Sequence, residues 1–292
     1  MKILILGTPG QLGHELMTAS WPAGTELAGE AYPDFDMGRA GDVEAAVERH
    51  APDLVVNATA YTAVDKAESE RAAAWAVNAV GVGRLAAACA GRGIPLIHVS
   101  TDYVFDGGKD GAYTEDDPVG PVSVYGASKA AGEIAVCAGC AQHVILRTSW
   151  VYASHGANFV KTMLRFGAER DEMRVVADQH GAPTAASDLA AAILAIVARI
   201  RENPATVPWG IYHCTGAGVT TWHGFAERIF QRLDQKTGRR PRLTAITTAD
   251  YPTPAARPAN SRLDNSRLQA AFGIALPPWE ESLDRVLDTL LA

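Results

Sequence analysis

Tyr125 and Lys129 stand four residues apart in the run Tyr125-Gly126-Ala127-Ser128-Lys129. On a helix, positions i and i+4 share a face, so this ammonium would lie beside this phenol. A neighbouring positive charge favours the phenolate and draws a tyrosine down from its ordinary pKa of ~10. Such a pair can hand a proton to a carbonyl oxygen as negative charge grows on it. Upstream, His98-Val99-Ser100-Thr101-Asp102-Tyr103 ends an apolar run in hydroxyls. Thr101 is placed to hydrogen-bond a substrate carbonyl and turn it toward Tyr125.

A second kind of chemistry is written in Gly7-Thr8-Pro9-Gly10-Gln11-Leu12-Gly13, which directly follows the first apolar run and opens a helical segment. Glycines there allow a tight turn and bring backbone N–H groups close to a pyrophosphate, which a helix N-terminus stabilises. The spacing is GxxGxxG, and its place between strand and helix gives it weight. Glu30 lies roughly 20 residues beyond the glycines, where an acid accepts hydrogen bonds from adenosine ribose hydroxyls and repels a 2′-phosphate. The nearest arginine in that stretch of chain is Arg39. The expectation is therefore a nicotinamide dinucleotide, NADH or NADPH with NADH slightly favoured, and with Asp36 and Met37 flanking the adenine. Asn78, in a helical stretch, is either an accessory site residue or an ordinary polar helix position. No HExxH or GxSxG occurs, which removes support for zinc and serine hydrolase readings.

These groups need a scaffold that gathers strand ends. Short apolar runs at Lys2–Leu6, Glu26–Glu30, Asp53–Asn57, Pro95–Val99 and His143–Leu146 read as buried strands. Helical stretches lie between them, including Asp42–His50 and Ala72–Ala90. That alternation predicts an α/β fold, a Rossmann-type doubly wound parallel sheet covered on both faces. After about residue 150 the rhythm changes. A strand-like run at Met173–Val176 precedes a helix with Ser187 as its expected N-cap and Leu189, Ile193, Val197 and Ile200 on one face. Ile211–Cys214 leads into a helix that Thr221 can cap, with Phe225, Ile229 and Leu233 inward. Pro252, Pro254 and Pro258 make Tyr251–Asn260 an extended loop, and a helix over Trp279–Leu291 follows. The expected organisation is a dinucleotide-binding core over residues 1–150 and, over 151–292, a smaller C-terminal substrate-binding lobe with segments returning to the core.

The chain has 292 residues and a net charge of −7, from 26 Lys plus Arg against 33 Asp plus Glu. It lacks the basic field that nucleic acid or an anionic membrane would require. Cys137 and Cys140 form a CxxC without a second pair to complete a zinc site. With Cys89 and Cys214 they read as packing cysteines of a reducing compartment, so the expected setting is cytoplasmic. The apolar opening at Met1–Leu6 is too short for a signal core or a membrane span.

Taken in order, GxxGxxG, the strand-end Ser-Thr and YxxxK resemble the extended short-chain dehydrogenase/reductase superfamily. The likeness runs through Thr62-Ala63-Val64-Asp65-Lys66-Ala67-Glu68, Arg147-Thr148-Ser149-Trp150-Val151-Tyr152, Asp178-Gln179-His180-Gly181-Ala182-Pro183-Thr184 and Arg257-Pro258-Ala259-Asn260-Ser261-Arg262-Leu263. The later blocks resemble the branch that reduces a ketone on a dTDP-linked deoxysugar. The resemblance implies Tyr125 as proton donor, Lys129 as its partner and cofactor ligand, and Thr101 as a tuning hydroxyl. It implies Gly10, Gln11, Leu12, Glu30, Asp36, Met37, Ala60, Tyr61 and Thr62 around the dinucleotide. Thr101, Asp102 and Trp150 would surround the sugar. Arg257 and Arg262 are candidate diphosphate contacts. Tyr61 stands where relatives often carry histidine, and Thr59 replaces an alanine. Some members form a metal-linked dimer through acidic residues; Glu15 matches one position but Ser187 occupies another, so a homodimer is possible and no metal is expected. Another nucleotide-sugar reductase or epimerase, or a non-catalytic NAD(P)-binding subunit, would share the cofactor motifs.

Overall fold

The computed structural model describes all 292 residues. Its main strands are β1 (Lys2–Leu6), β2 (Glu26–Glu30), β3 (Leu54–Asn57), β4 (Leu96–Thr101), β5 (His143–Thr148), β6 (Glu172–Val176), β7 (Gly210–His213) and β8 (Arg242–Ile246). The main helices are α1 (Gln11–Thr18), α2 (Asp42–His50), α3 (Arg71–Ala90), α4 (Val124–Gly139), α5 (Phe159–Glu169), α6 (Ala186–Glu202), α7 (Trp222–Thr237) and α8 (Trp279–Leu290).

Six strands pair in parallel in the order β7-β5-β4-β3-β1-β2. The strand order reverses between β1 and β3, and in open α/β sheets ligands bind at the carboxyl ends beside such a switch. Alternate residues of β1 feed opposite faces, as a pleated strand requires. Ile3 and Ile5 enter one core with Leu12 and Leu16 of α1 and Leu189 and Ile193 of α6. Leu4 and Leu6 enter another with Val43 of α2, Leu85 of α3 and Val136 of α4. A third core gathers Tyr152, Met163, Phe225, Phe230, Trp279 and Leu283 beside the sheet. The chain beyond residue 150 therefore supplies both that third core and, through α6 and β7, the main sheet.

Several expectations need adjustment. The strand-like run at Met173–Val176 is a strand, β6, but it pairs in parallel with β8 outside the main sheet, and β8 is a strand the sequence reading did not anticipate. Ser187 does not cap α6. Ala185 holds the N-cap position with no side-chain bond, because the helix starts one residue before Ser187. Thr221 does cap α7, its Oγ accepting the Gly224 N–H at 3.0 Å. Of the four cysteines, all free thiols, Cys137 is exposed and the other three are buried. The long helix α3 contains a π-helical turn at Ala76–Gly81. It is apolar and long enough for a membrane span, yet half of it is buried inside the fold, as in a core helix.

Candidate active site

Tyr125 lies in the first turn of α4, and that end of the helix is tied down twice. Ser123 Oγ accepts the Gly126 N–H at 3.1 Å, and Glu68 Oε1 accepts the Val124 N–H at 2.9 Å. Further along, a Cβ on Gly132 would come within 2.2 Å of the Asn78 carbonyl oxygen, so only glycine lets α4 seat this closely on the π turn of α3. Asn78 proves to be a buried clamp. Its Oδ1 accepts the Tyr61 N–H at 2.8 Å, and its Nδ2 donates to the Tyr61 carbonyl at 3.1 Å and to Ser128 Oγ at 3.0 Å. The Ser128 hydroxyl in turn donates to the Tyr125 carbonyl at 2.8 Å. One amide thus fixes the loop after β3 against the helix that carries Tyr125 and Lys129.

The carboxyl ends of β1, β3, β4 and β5 open onto a cavity of about 570 Å³. Gly10, Gln11, Leu12, Ala60, Thr62, Thr101, Asp102, Tyr125, Lys129 and Trp150 all line it. Tyr103, Ser149 and Trp222 line it as well, and sequence reasoning did not single them out. Beneath the cavity, Gly7 has φ of +89°, and a Cβ on Gly13 would sit 2.1 Å from the Gly7 carbonyl oxygen. The N-cap of α1 is Gly10, with no side chain over the first-turn N–H groups. A tight turn, a bare helix N-terminus and a cavity above them fit a dinucleotide pyrophosphate.

The adenosine side departs from expectation. Glu30, Asp36, Met37 and Tyr61 do not line the cavity. Glu30 has an arginine beside it after all: its Oε1 lies 2.6 Å from Arg49 Nη2 and 2.6 Å from His50 Nε2, because α2 returns its last turn to the end of β2. The acid is therefore paired rather than free, which weakens the argument for NADH over NADPH. Asp36 Oδ1 accepts the Gly38 N–H at 2.8 Å in a turn. Met37 is a core side chain packed on Gly81. The Tyr61 hydroxyl donates to Glu70 Oε2 at 2.6 Å.

Electrostatics in the cavity follow burial more than pairing. Lys129 Nζ donates to the Val99 carbonyl at 2.7 Å. Burial pulls this lysine down to about 8, opposed by the charge of Glu133. Burial pushes the Tyr125 phenol up to about 12, with the Thr101 hydroxyl beside it pulling the other way. The expected lowering of Tyr125 by Lys129 is thus absent: the ammonium is turned to a strand carbonyl, and desolvation wins. The Thr101 hydroxyl donates to Asp102 Oδ1 at 2.8 Å. Burial drives the Asp102 carboxyl up to about 6, against the Ser261 and Thr101 hydroxyls.

Trp150 holds φ of +48°, a conformation costly for a side chain of this size and found where the surroundings over-determine it. Its indole stacks on Trp222 at 3.7 Å and 12°, and a Cβ on Gly181 would come within 2.7 Å of it. Trp222 also borders a second cavity of about 800 Å³, whose walls include Phe159, Phe166, Arg170, Arg174 and Arg257. Arg257 is held there by Asp65, at 2.8 and 3.1 Å. Arg262 is not at either cavity; its guanidinium donates to Asn260 Oδ1 and to the Asp110 carbonyl.

A doubly wound parallel sheet, a glycine turn under α1, and a YxxxK helix facing a strand-end Ser-Thr define an oxidoreductase of the extended short-chain dehydrogenase/reductase type. The family model described as the RmlD substrate binding domain matches residues 1–292, and the chain belongs to that family. It is similar to the dTDP-4-dehydrorhamnose reductase of Sinorhizobium fredii, 47% identical over 100% of this chain and 98% of the relative. Among solved structures it resembles the dTDP-4-dehydrorhamnose reductase of Clostridium acetobutylicum, with a TM-score of 0.92 and 38% identity over 100% of both chains. The Bacillus anthracis dTDP-4-dehydrorhamnose reductase, solved in complex with NADP, superposes with a TM-score of 0.90 and 34% identity over 99% of both chains.

Proposed function

We propose that this chain reduces the C4 ketone of dTDP-4-dehydro-β-L-rhamnose to give dTDP-β-L-rhamnose, the last step in making that nucleotide sugar, with NADH or NADPH as reductant. The observation that carries the reading is the convergence of Tyr125, Thr101 and Lys129 on a cavity floored by the glycine turn and separated by Trp222 from a larger one. The dinucleotide, when bound, supplies the hydride. In this reading Gly7, Gly10, Gln11, Leu12 and Gly13 hold its diphosphate, and Ala60, Tyr61 and Thr62 lie along it. Glu30 and Asp36 lie toward its adenosine, whereas Met37, being a core side chain, supports that end from beneath, and Lys129 binds its ribose.

Tyr125 gives its proton to the C4 oxygen as negative charge develops there, and Thr101 orients that oxygen. Asp102 accepts a sugar hydroxyl, and Trp150 packs against the ring. The larger cavity takes the nucleotide, whose remote binding energy orients the sugar. The reading places the enzyme in the cytoplasm, with its cysteines kept as thiols. The test is loss of reduced-nicotinamide absorbance with dTDP-4-dehydro-L-rhamnose. Turnover is expected with both reductants. A folded, dinucleotide-binding protein that turns over neither would sink the assignment.

A further inference from the structure

Behind Tyr125 and Lys129 lies a buried ion pair that the proton transfer itself does not use. Glu133 follows Lys129 by one turn on α4, and its side chain is 4% exposed. Its carboxylate accepts Arg147 Nε at 3.0 and 3.1 Å, Arg147 Nη2 at 2.7 Å, and the Ser100 hydroxyl at 2.5 Å. Ser100 sits on β4 between Val99, whose carbonyl holds Lys129, and Thr101. Arg147 is on β5, its guanidinium over the Phe105 ring at 5.0 Å. A single carboxylate therefore ties the helix of Tyr125 and Lys129 to β4 and β5, two of the four strands whose ends form the cavity.

Stability alone is a poor reason to keep such a pair, because desolvating two charges commonly cancels their attraction and apolar replacements do as well. Lys129, meanwhile, is a buried cation whose hydrogen-bond acceptor is a neutral carbonyl. The groups around it define what keeps it charged. On its own helix stand Tyr125 and Glu133. From β4 and its end come His98, held neutral by burial and bonded to Asn57 at 3.0 Å, and Asp102. From β5 comes Arg147, and α3 meets this helix through the uncharged Asn78. Cys137, one turn further on, is exposed as a residue but has its Sγ 3.7 Å from His143 Nε2, and its thiol is pushed up by partial desolvation and by the charge of Glu133.

We infer that Glu133 is a positioning residue for the reduction: its carboxylate, fixed by Arg147 and Ser100 one turn from Lys129, favours the lysine as an ammonium at the Val99 carbonyl. The inference rests on the proposed role of Lys129. It predicts that removing the carboxylate makes Lys129 lose its proton at lower pH, so the alkaline limb of kcat/KM moves toward neutrality.

The variants are Glu133→Gln and the double Glu133→Gln/Arg147→Gln, in which two amides replace the ion pair without a stranded charge. Thermal unfolding, NADH affinity by protein fluorescence and kcat/KM across pH are measured on each. The expected result is a limb displaced downward by about half a pH unit or more, a ~3-fold loss on its alkaline side beyond any uniform loss. If neither variant folds, Glu133→Asp is read instead, with a smaller shift in the same direction. A folded variant whose limb stays at the wild-type pH, whatever its uniform loss of kcat, overturns the inference and leaves the pair structural. Tyr125→Phe separates the two readings. Full activity in that variant would remove the proton-transfer scheme itself, whereas an inactive Tyr125→Phe beside an unmoved limb removes only the role of Glu133.

Discussion

A proton donor must hold its proton at working pH, and the surroundings of Tyr125 suit the donor role proposed for it. Burial sets the phenol at about 12, so it is neutral throughout the physiological range. That suits reduction, in which the carbonyl oxygen becomes a strongly basic alkoxide that takes the proton. Tyr125→Phe removes the proton and keeps the ring edge against Tyr103 at 5.6 Å. The expected outcome is a fall in kcat of at least ~100-fold, with NADH affinity and melting temperature unchanged, measured by steady-state kinetics, fluorescence titration and calorimetry. Asp102 gives a second prediction at this scale. Its folded pKa, about 6, lies above its ordinary 3.8, so the native state binds the proton more tightly than the unfolded chain. Its stability contribution is full below pH ~4 and is lost as pH rises through about 6. In its proposed sugar-binding role function runs the other way, since only the carboxylate accepts a sugar hydroxyl with both oxygens. KM for the nucleotide sugar should rise as pH falls through about 6. Asp102→Asn should lose both pH dependences; an unaltered KM profile in that variant would assign the titration elsewhere.

At the scale of elements, the site depends on how closely α4 lies on α3. Gly132→Ala would place a Cβ 2.2 Å from the Asn78 carbonyl, and neither helix can give way without moving Tyr125 or the loop at Tyr61. The expected cost is about 1–3 kcal/mol in urea unfolding, as for other overpacked cores, together with a reduced kcat. What could be read from the sequence here follows the range of the interaction. The glycine turn and YxxxK are local spacings, and the strands from β1 to β5 are runs of adjacent apolar residues, so both were legible. β8 was not, because Arg242-Leu243-Thr244-Ala245-Ile246 is a mixed segment whose strand state comes from pairing with β6 far back in the chain. The π turn was hidden because an alanine-rich segment keeps helical periodicity through it. Arg49 escaped notice beside Glu30 because only the path of α2 brings them together. Trp222 carries no local signal of its role, because its stacking partner Trp150 is distant in sequence.

At the scale of the whole molecule, the cavities lie where the sheet meets the third core, and a few contacts hold that junction. Asn158 Nδ2 donates to Gln11 Oε1 at 2.9 Å, so the cap of α5 also grips the glycine turn. Asp65 holds Arg257 in the wall of the larger cavity, and Trp150 stacks on Trp222 between the two. Trp222 is the wall that both cavities share, so a substrate reaching from one to the other must pass its edge. Removing the indole would enlarge that passage and deprive Trp150 of the ring that helps hold its unusual backbone. An aromatic stack contributes ~0.5–1.5 kcal/mol beyond the area it buries. With that area added, Trp222→Ala should raise KM for the nucleotide sugar by ~10-fold or more, equivalent to about 1.4 kcal/mol. NADH affinity should change by less than ~2-fold, since the glycine turn and Lys129 keep their partners. Trp222→Phe, which retains a ring for stacking, should recover most of the loss. Equal weakening of NADH and sugar in Trp222→Ala, without recovery in Trp222→Phe, would make the tryptophan a general tie across the junction. A selective rise in KM would mark it as the partition that sets where the sugar ends and the nucleotide begins.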